Sequence, residues 1–372
     1  MVTTLDDLRR FTVARNCFQP TSLKRAVHKM GFVQADPIRA PARAQDLILR
    51  HRVKNYHAGD LERRYASLEI DEDVFVNYGF VTRSLQALMH PRVSSRVKAK
   101  GKRGNQEGTR AELLLEFVRE RSAVHPREVD DHFSHGSVTN YWGGSSNATT
   151  RLLEEMHYHG LLRVVRREKG IRLYAAHRHE VGPDNADERR SRIDALVDAV
   201  VRIYAPLPGP SLSYYVRRLR YASPQWQTEL TSALERAKER LAHARVNEMD
   251  WYWPREEDIV SRQSSATSRI NDTVRLLAPF DPLVHDRARF ELLWGWSYRF
   301  EAYTPASKRK LGYYALPMLW RDRVIGWANL SVKAGELNSE FGYVTSEPRD
   351  RFFKRELKAE IDGMRVFLRL GS

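Results

Sequence analysis

The spacing of apolar residues predicts two helices at the start of the chain. Apolar side chains recur on one side of residues 5–14, and they follow the i, i+3, i+4, i+7 spacing of a helix over residues 21–30. Thr21 is the expected N-cap of the second helix, and Gly31 can close its end. The extended stretch FVQADPI comes next. The order helix, helix, strand predicts a small winged helix-turn-helix module in residues 1–45.

A clearer winged-helix pattern occupies residues 109–182. RAELLLEFVRERSAV is amphipathic, PREVDDHF predicts a short helix, and NATTRLLEEMHYHG predicts a third helix that Asn147 can cap. Leu152, Leu153 and Met156 of that helix should face a core. LLRVVRREKGIRLYAA then alternates on either side of an EKG turn, which predicts the two strands of a wing.

The rest of the chain completes an expected α+β fold, in which tandem winged helix-turn-helix modules precede a β-rich domain. Residues 46–108 form a helical intervening segment that ends in a basic connector. Residues 183–262 predict a third winged-helix module, with helical stretches before the strand-like ARVNEMDWYWP. Residues 263–372 are aromatic and rich in strand formers, which predicts a barrel-like antiparallel domain with a terminal helix.

Charge narrows the choice of partner. The 372 residues carry a formal net charge of +15 at pH 7, which favours a polyanion such as DNA, RNA or anionic lipid. No apolar run approaches the roughly 18 residues that a membrane span requires, and the acidic N-terminus differs from a signal peptide. We therefore expect a cytoplasmic, nucleoid-associated protein with no membrane partner.

The sequence contains no recognisable metal-binding motif. Cys17 is the single cysteine, which excludes an intramolecular disulfide and a multi-cysteine metal site. His157 and His159, like His177 and His179, are spaced i, i+2 without an Asp or Cys partner that would complete a site. We expect neither a metal nor a cofactor.

The stretch GFVQADPIRAPARAQD, residues 31–46, holds the candidate chemistry. On a strand, Gln34 and Asp36 would point to the same face, and a helix that carries Arg43 would follow. Arginines and a helix N-terminus can hold a phosphate, which leaves the carboxylate beside a sugar. Spacing alone favours a simpler interpretation, in which Gln34 and Asp36 are solvated wing residues and Asp36 pairs with Arg39 or Arg43.

Residues 31–56 resemble the YcaQ/AlkZ-like DNA glycosylases, a family of winged-helix proteins that unhook alkylated bases and interstrand crosslinks. The family signature is Gln, an apolar residue, then Asp in the YcaQ-like branch or Gln in the AlkZ-like branch. This chain has Gln34-Ala35-Asp36. The resemblance extends to LLAPFDPLVHDR, to YRFEAYTPASKRKLGYYALPML and to the module order, so it covers nearly the whole chain. Further positions at spacings similar to those of the family are Ile38, Ala42, Arg43, Arg52, Asn55 and Tyr56.

The resemblance implies a monofunctional DNA glycosylase. Such an enzyme hydrolyses the N-glycosidic bond of N7-alkylated purines, unhooks crosslinks and leaves an abasic site. Gln34 would position the water or the sugar, and Asp36 would stabilise the oxocarbenium-like sugar and act as general base. No lysine stands next to this motif, so a lyase step is not expected. The alternative is a non-catalytic winged-helix transcription regulator that binds DNA.

One segment departs from the family. YcaQ-like members carry a His-bearing aromatic segment after the first domain, and this chain has Phe75-Val76-Asn77-Tyr78-Gly79 there. The preferred lesion therefore stays open at this point.

The expected partner is double-stranded DNA with alkylated or crosslinked bases, bound by a monomer. The enzymatic interpretation requires Asp36 to face that DNA. Basic and aromatic side chains near the motif, in the connector, in the second wing and in a C-terminal basic hairpin would contact DNA: Arg39, Arg43, Arg52, Tyr56, Lys98, Lys100, Lys102, Arg103, Arg166, Arg167, Lys169, Lys308, Arg309 and Lys310.

Overall fold

Helices and short β-strands alternate along the chain in a computed structural model, which describes residues 3–92, 105–133, 136–139, 145–179, 185–257, 259 and 272–371. The helices are α1 (Leu5–Asn16), α2 (Leu23–Met30), α3 (Ala44–Leu49), α4 (Asp60–Arg64), α5 (Arg83–Met89), α6 (Asn105–Arg119), α7 (Pro126–Phe133), α8 (Ala148–Tyr158), α9 (Ala186–Tyr204), α10 (Gly209–Ala222), α11 (Leu230–Arg240), α12 (Arg287–Trp294) and α13 (Arg351–Leu368). The strands are β1 (Phe32–Gln34), β2 (Ile70–Val74), β3 (Tyr78–Thr82), β4 (Ser137–Thr139), β5 (Ser145–Asn147), β6 (Leu162–Glu168), β7 (Ile171–Ala176), β8 (Leu207–Pro208), β9 (Ala242–Val246), β10 (Met249–Trp253), β11 (Val274–Leu276), β12 (Leu316–Trp320), β13 (Arg323–Lys333) and β14 (Glu336–Tyr343).

The chain divides into two units, each assembled from separate parts of the sequence. The first comprises Met1–Leu61, Asp198–Tyr215 and Leu234–Ser372, and the second comprises Glu62–Val197 and Val216–Ala233. The domain boundaries predicted from the sequence stay predictions. Most of the basic connector, including Lys98, Lys100, Lys102 and Arg103, lies outside the described residues. No helix in the described ranges is long and apolar enough to span a membrane.

In the first unit, the helix predicted over residues 21–30 is confirmed as α2, and its apolar side chains are buried. The predicted cap is wrong by one residue. Ser22 is the N-cap, and its side chain accepts a hydrogen bond from the backbone N–H of Arg25. Thr21 is engaged elsewhere, because its backbone forms a parallel bridge with Val53. Gly31 closes the helix at a positive φ of 70°, as the sequence predicts.

The C-terminal strands form an open sheet, so the prediction of a barrel-like domain is wrong. The four strands lie in the order β11-β12-β13-β14 and all pair antiparallel. The sheet does not close because β11 and β14 are its two edges. Helix α13 packs beside β11, where the Glu360 carboxylate accepts a hydrogen bond from the N–H of Leu276 at 2.8 Å.

Part of the third predicted module lies in the same unit. Strands β8, β10 and β9 form a small antiparallel sheet with β10 in the middle. In the chain, α9, β8, α10, α11, β9 and β10 follow one another, which is the element order of a winged helix. The winged-helix interpretation itself stays a prediction.

In the second unit, the residues predicted to build one core come together. Leu153 and Met156 of α8 are buried, and Leu152 is partly buried against the same cluster. The cluster also takes in side chains from α6, α7 and the β6–β7 hairpin, which is the predicted wing: Leu114, Phe117, Val118, Val124, Val129, Leu162, Val164 and Tyr174.

Strand β2 of the second unit has three consecutive buried carboxylates, which the hydrophobic pattern does not predict. Asp71, Glu72 and Asp73 are each almost inaccessible to solvent. Burial opposes ionisation of Glu72, but the guanidinium of Arg167 donates to its carboxylate and keeps its pKa below the ordinary value. Asp73 is held in the same way by Arg92, at 2.7 Å. Paired guanidinium groups thus make this charged strand compatible with a protein interior.

A buried ion pair joins α3 to the segment before α12 within the first unit. The guanidinium of Arg52 contacts the Asp281 carboxylate at 2.7 Å, and the two side chains are 1% and 0% exposed. Arg52 also donates to the carbonyls of Asn16 and Ile48. Removing one charge would strand the other in a medium that cannot solvate it.

We therefore expect Asp281→Asn to lower the free energy of unfolding by about 3–5 kcal/mol, since Arg52 would keep its charge without a partner. Asp272→Asn is the matched control, because Asp272 pairs with Arg321 at 2.6 Å while its side chain is 44% exposed. That change should cost less than about 1 kcal/mol. Urea denaturation of the two variants measures both values, and equal losses would contradict the role given to the buried pair.

Candidate active site

Asp36 lies in the loop between β1 and α3, in the first unit. Strand β1 ends at Gln34, so the prediction that Asp36 continues the strand is wrong. The Asp36 Oδ1 atom accepts a hydrogen bond from the N–H of Ile38 at 2.9 Å, a turn that the side chain makes with its own backbone. The N–H of Asp36 donates to Gln45 Oε1 at 3.4 Å. The turn therefore fixes the carboxyl group in one orientation.

The helix after this loop begins later than predicted. Its first residue is Ala44, and Arg43 is the N-cap residue, which provides no side-chain cap. Gln34 and Gln45 are both buried. The loop therefore brings two buried amides into the neighbourhood of Asp36, one before it in the chain and one after it.

No cation neutralises Asp36 among the residues that the structure describes. Neither Arg39 nor Arg43 forms an ion pair with it, which contradicts the simpler interpretation of the motif. Burial raises the pKa of Asp36, and the hydrogen bond from Ile38 offsets part of this effect. The side chain is 9% exposed, but Pro37 and Arg39 next to it are exposed. Asp36 thus lies in a recess close to the surface of the unit.

Helix α3, which carries Gln45, is anchored by charged groups of its own unit. The carboxylate of Asp46 accepts from the Tyr56 hydroxyl at 2.7 Å and from the N–H of Gly59 at 2.9 Å. Just beyond the helix, Arg50 contacts Glu360 of α13 at 2.6 Å. These bonds join α3 to the chain that follows it and to the C-terminal helix. They hold in place the helix that carries Gln45, whose side chain accepts a hydrogen bond from the N–H of Asp36.

Two tyrosines of an aromatic cluster interact electrostatically with Asp36. Burial raises the pKa of Tyr314, and the negative charge of Asp36 raises it further. The same two causes, in the same order, raise the pKa of Tyr303. Phe300 contacts both tyrosines edge to face, with ring centroids 6.0 Å from Tyr303 and 5.4 Å from Tyr314. Tyr314 is buried, whereas Tyr303 is 79% exposed.

Sequence reasoning did not single out either tyrosine. Both lie in the long C-terminal stretch YRFEAYTPASKRKLGYYALPML, more than 260 positions from Asp36 in the chain. The only available signal was the density of aromatic residues in that stretch. Nothing in it pointed to Asp36.

Two of the residues predicted to bind DNA are buried. Arg52 is 1% exposed and is held by Asp281, and Tyr56 is buried with its hydroxyl on Asp46. Neither can reach a phosphate in this structure, because protein groups already satisfy and cover them. Their role here is structural. This corrects the prediction for both residues.

The second wing also presents less charge than its sequence indicates. Arg167 donates two hydrogen bonds to the buried Glu72, so its guanidinium serves the unit's interior. This corrects the prediction that Arg167 binds DNA. Arg166 lies at the surface and contacts Glu168 at 3.0 Å. Lys169, at the tip of the wing, is exposed.

The predicted basic hairpin in the C-terminal segment is instead a single turn of 3₁₀-helix over Ala306–Lys308. Lys308 and Lys310 are exposed. Arg309 is partly buried, donating to the carbonyl of Thr304 at 2.8 Å while its guanidinium lies 5.0 Å from the Tyr313 ring centroid. The three cations still reach the surface region that carries Tyr303, although not as a hairpin.

The segment that departs from the family lies in the second unit. It forms the turn between β2 and β3, with Phe75 and Val76 fully buried. The Tyr78 hydroxyl donates to Glu72 at 2.6 Å, and Asn77 accepts from Arg218. These contacts give the segment a role in holding the hairpin together.

No group of three or more His, Cys, Asp or Glu side chains is arranged to hold a metal within the described ranges. His157 is buried and contacts the carbonyl of Glu72 at 2.9 Å. His179 stacks on His90 with ring centroids 4.0 Å apart. Parallel stacking places ring faces together, whereas metal ligands must direct ring nitrogens at a common point.

The raised pKa of Asp36 predicts a cost in stability. Because the folded pKa exceeds the unfolded one, ionisation of Asp36 opposes folding above the folded pKa, and the penalty fades as pH falls toward the ordinary value near about 3.9. Asp36→Asn should therefore be at least as stable as the original protein at pH 8, with an advantage that shrinks as the pH is lowered toward about 3.9. Thermal melting over this pH range measures the difference, and a large loss of stability at pH 8 would contradict it.

Comparison with known proteins identifies the family of this chain. The family model described as DNA glycosylase AlkZ-like matches residues 27–367. Among solved structures, the fold is similar to that of the DNA glycosylase AlkZ of Streptomyces sahachiroi, with a TM-score of 0.60 and 14% sequence identity, over 99% of this chain and 97% of that one. At this identity the structural match shows the fold alone. The family match covers most of the chain and takes in Gln34, Asp36, Tyr303 and Tyr314, so the chain belongs to the AlkZ-like DNA glycosylases.

Proposed function

We propose that this glycosylase hydrolyses the N-glycosidic bond of N7-alkylated purines in duplex DNA, with Asp36 as the catalytic carboxylate. The observation that carries the proposal is a nearly buried carboxyl group that is held by one oxygen and has no ion-pair partner among the described residues. A carboxylate with a raised pKa is a stronger base than an ordinary aspartate, and it can take a proton from water. Its charge also suits a sugar that becomes positive as the bond breaks.

Alkylation at N7 explains why one carboxylate would suffice. The modified purine carries a positive charge, so it leaves as a neutral base and does not need an acid to protonate it. The enzyme then has to stabilise the sugar and to deliver water. Gln34, buried at the end of β1, would orient the water or the sugar through its amide. No lysine stands beside the motif to form a Schiff base, so we infer a monofunctional hydrolase that leaves an abasic site.

We extend the proposal to the unhooking of interstrand crosslinks. A crosslinked base cannot swing freely out of the duplex into an enclosed pocket. An aspartate in a shallow recess, with an exposed tyrosine beside it, could act on a base that stays close to the helix. The exposed cations Arg39, Lys308 and Lys310 would contact phosphates. We infer that a monomer acts in this way on nucleoid DNA in the cytoplasm.

The excision reaction tests the role of Asp36. Asp36→Asn should slow release of 7-methylguanine, or unhooking of a nitrogen-mustard crosslink, by about 10²–10⁴-fold, since amide nitrogen and oxygen neither carry the charge nor accept the proton. The measurement is single-turnover excision from a defined duplex, with the dissociation constant measured on the same DNA. The dissociation constant should change little. Asp272→Asn, at an exposed carboxylate, is the control and should excise normally.

Excision that persists undiminished in Asp36→Asn would refute the assignment. If the original protein released no base from a panel of alkyl lesions but bound one operator sequence tightly, the chain would act as a transcription regulator instead. The panel also establishes which lesion is preferred.

The pH dependence provides a second test. The excision rate should rise with pH as Asp36 loses its proton, and the midpoint should lie above the value of about 3.9 for an ordinary aspartate, because burial raises the pKa of this group. Rates over pH 4–8 measure the midpoint. The residual activity of Asp36→Asn should not show this rise, and an identical rise in that variant would assign the titration to another group.

A further inference from the structure

Tyr314 is a buried side chain whose ring is fixed by packing. It lies two residues before β12 and is 2% exposed. Phe300 meets its ring edge to face, with centroids 5.4 Å apart and planes at 84°. Phe280 supports Phe300 from another side at 5.1 Å. A ring held in this way has little freedom to redirect its hydroxyl.

The Tyr314 hydroxyl has no hydrogen-bond partner in the described part of the chain. Other buried tyrosines of the same unit do have one. Tyr298 donates to the carbonyl of Ala315 at 2.7 Å, and Tyr56 donates to Asp46 at 2.7 Å. Folding normally provides partners for buried hydroxyls, because an unmade bond opposes folding. A ligand is therefore the natural partner for the Tyr314 hydroxyl.

The position of Tyr314 indicates which ligand that is. After burial, the charge of Asp36 is the largest influence that raises the pKa of Tyr314, yet the two side chains share no hydrogen bond. A small molecule between them would meet a donor on one side and a carboxylate acceptor on the other. Water fits this description. Its oxygen can accept a hydrogen bond from Tyr314, one of its hydrogens can be donated to Asp36, and its second lone pair stays free to attack an electrophile.

We propose that Tyr314 and Asp36 together hold the water that attacks the sugar, an inference that rests on the glycosylase function proposed above. The water oxygen forms a bond to C1′ of the deoxyribose while the bond from C1′ to the base nitrogen breaks. The electron pair of the broken bond stays with the base, which leaves neutral because it was cationic. Asp36 accepts the proton from the water. Tyr314 keeps its own proton and directs the oxygen by donating a hydrogen bond to it.

Tyr314→Phe tests this role, because it removes the hydroxyl and keeps the ring. We expect single-turnover excision of 7-methylguanine to slow by about 10²–10³-fold, the range found when one oriented donor at a reacting centre is removed. The dissociation constant for the DNA should stay within about twofold. The melting temperature should not fall, since the lost hydroxyl has no partner among the residues that the structure describes.

Tyr298→Phe is the matched control. Its hydroxyl is also buried, but it already donates to the carbonyl of Ala315, the residue next to Tyr314. That variant should melt at a lower temperature, because it leaves the carbonyl without its donor, and it should excise at nearly the original rate. The opposite pattern in the two variants separates a catalytic hydroxyl from a structural one.

Excision by Tyr314→Phe within about twofold of the original rate would overturn the inference, and inactivity of Asp36→Asn in the same assay would still support the glycosylase function. A slower Tyr314→Phe variant that also melts earlier or binds DNA more weakly would reveal a structural role and likewise overturn the inference. If the original protein excises nothing from the lesion panel, the proposed function fails and the inference fails with it.

Discussion

The burial of the Asp36 carboxyl group, which has no cation beside it among the described residues, is the main physical constraint on this part of the first unit. Asp36 has one backbone hydrogen bond to its Oδ1 atom and no ion pair among the described residues, so its ionised form is costly in the free protein. The surrounding structure bears this cost. Buried ion pairs and hydrogen bonds around α3 hold the helix beside the loop in place. The proposed catalytic role of Asp36 would explain why the protein tolerates the cost, because active sites commonly sacrifice stability for function.

The three stretches of sequence that carry the family resemblance interact with one another in the structure. Arg52, shortly after the motif, is neutralised by Asp281 in LLAPFDPLVHDR. Tyr303 and Tyr314, in the longer C-terminal stretch, interact with Asp36 itself. Segments distant in sequence therefore come together around Asp36. Residues 31–56 contain the carboxylate, LLAPFDPLVHDR contributes the partner of Arg52, and the longer C-terminal stretch contributes the two tyrosines.

Local patterns in the sequence predicted local structure well. The period of α2 and the core face of α8 follow from apolar spacing alone, because helix geometry decides which side chains share a face. The sequence could not show that Arg52 and Tyr56 are buried or that Arg167 pairs with Glu72, since each is satisfied by a group that only folding brings near. The same limit applies to Tyr314. Asp36 itself was found from a resemblance, because the spacing of Gln34 and Asp36 carries little information.

The acidic strand β2 affects how strongly the binding of DNA should depend on salt concentration. Arg92 and Arg167 form ion pairs with Asp73 and Glu72. Because their charges are neutralised inside the protein, neither arginine is available to bind anions from solution or phosphates of DNA. Only cations that reach the solvent displace condensed counterions from DNA. The number of ions released on association is therefore governed by the accessible cations and falls short of what the total of 62 Lys and Arg residues suggests.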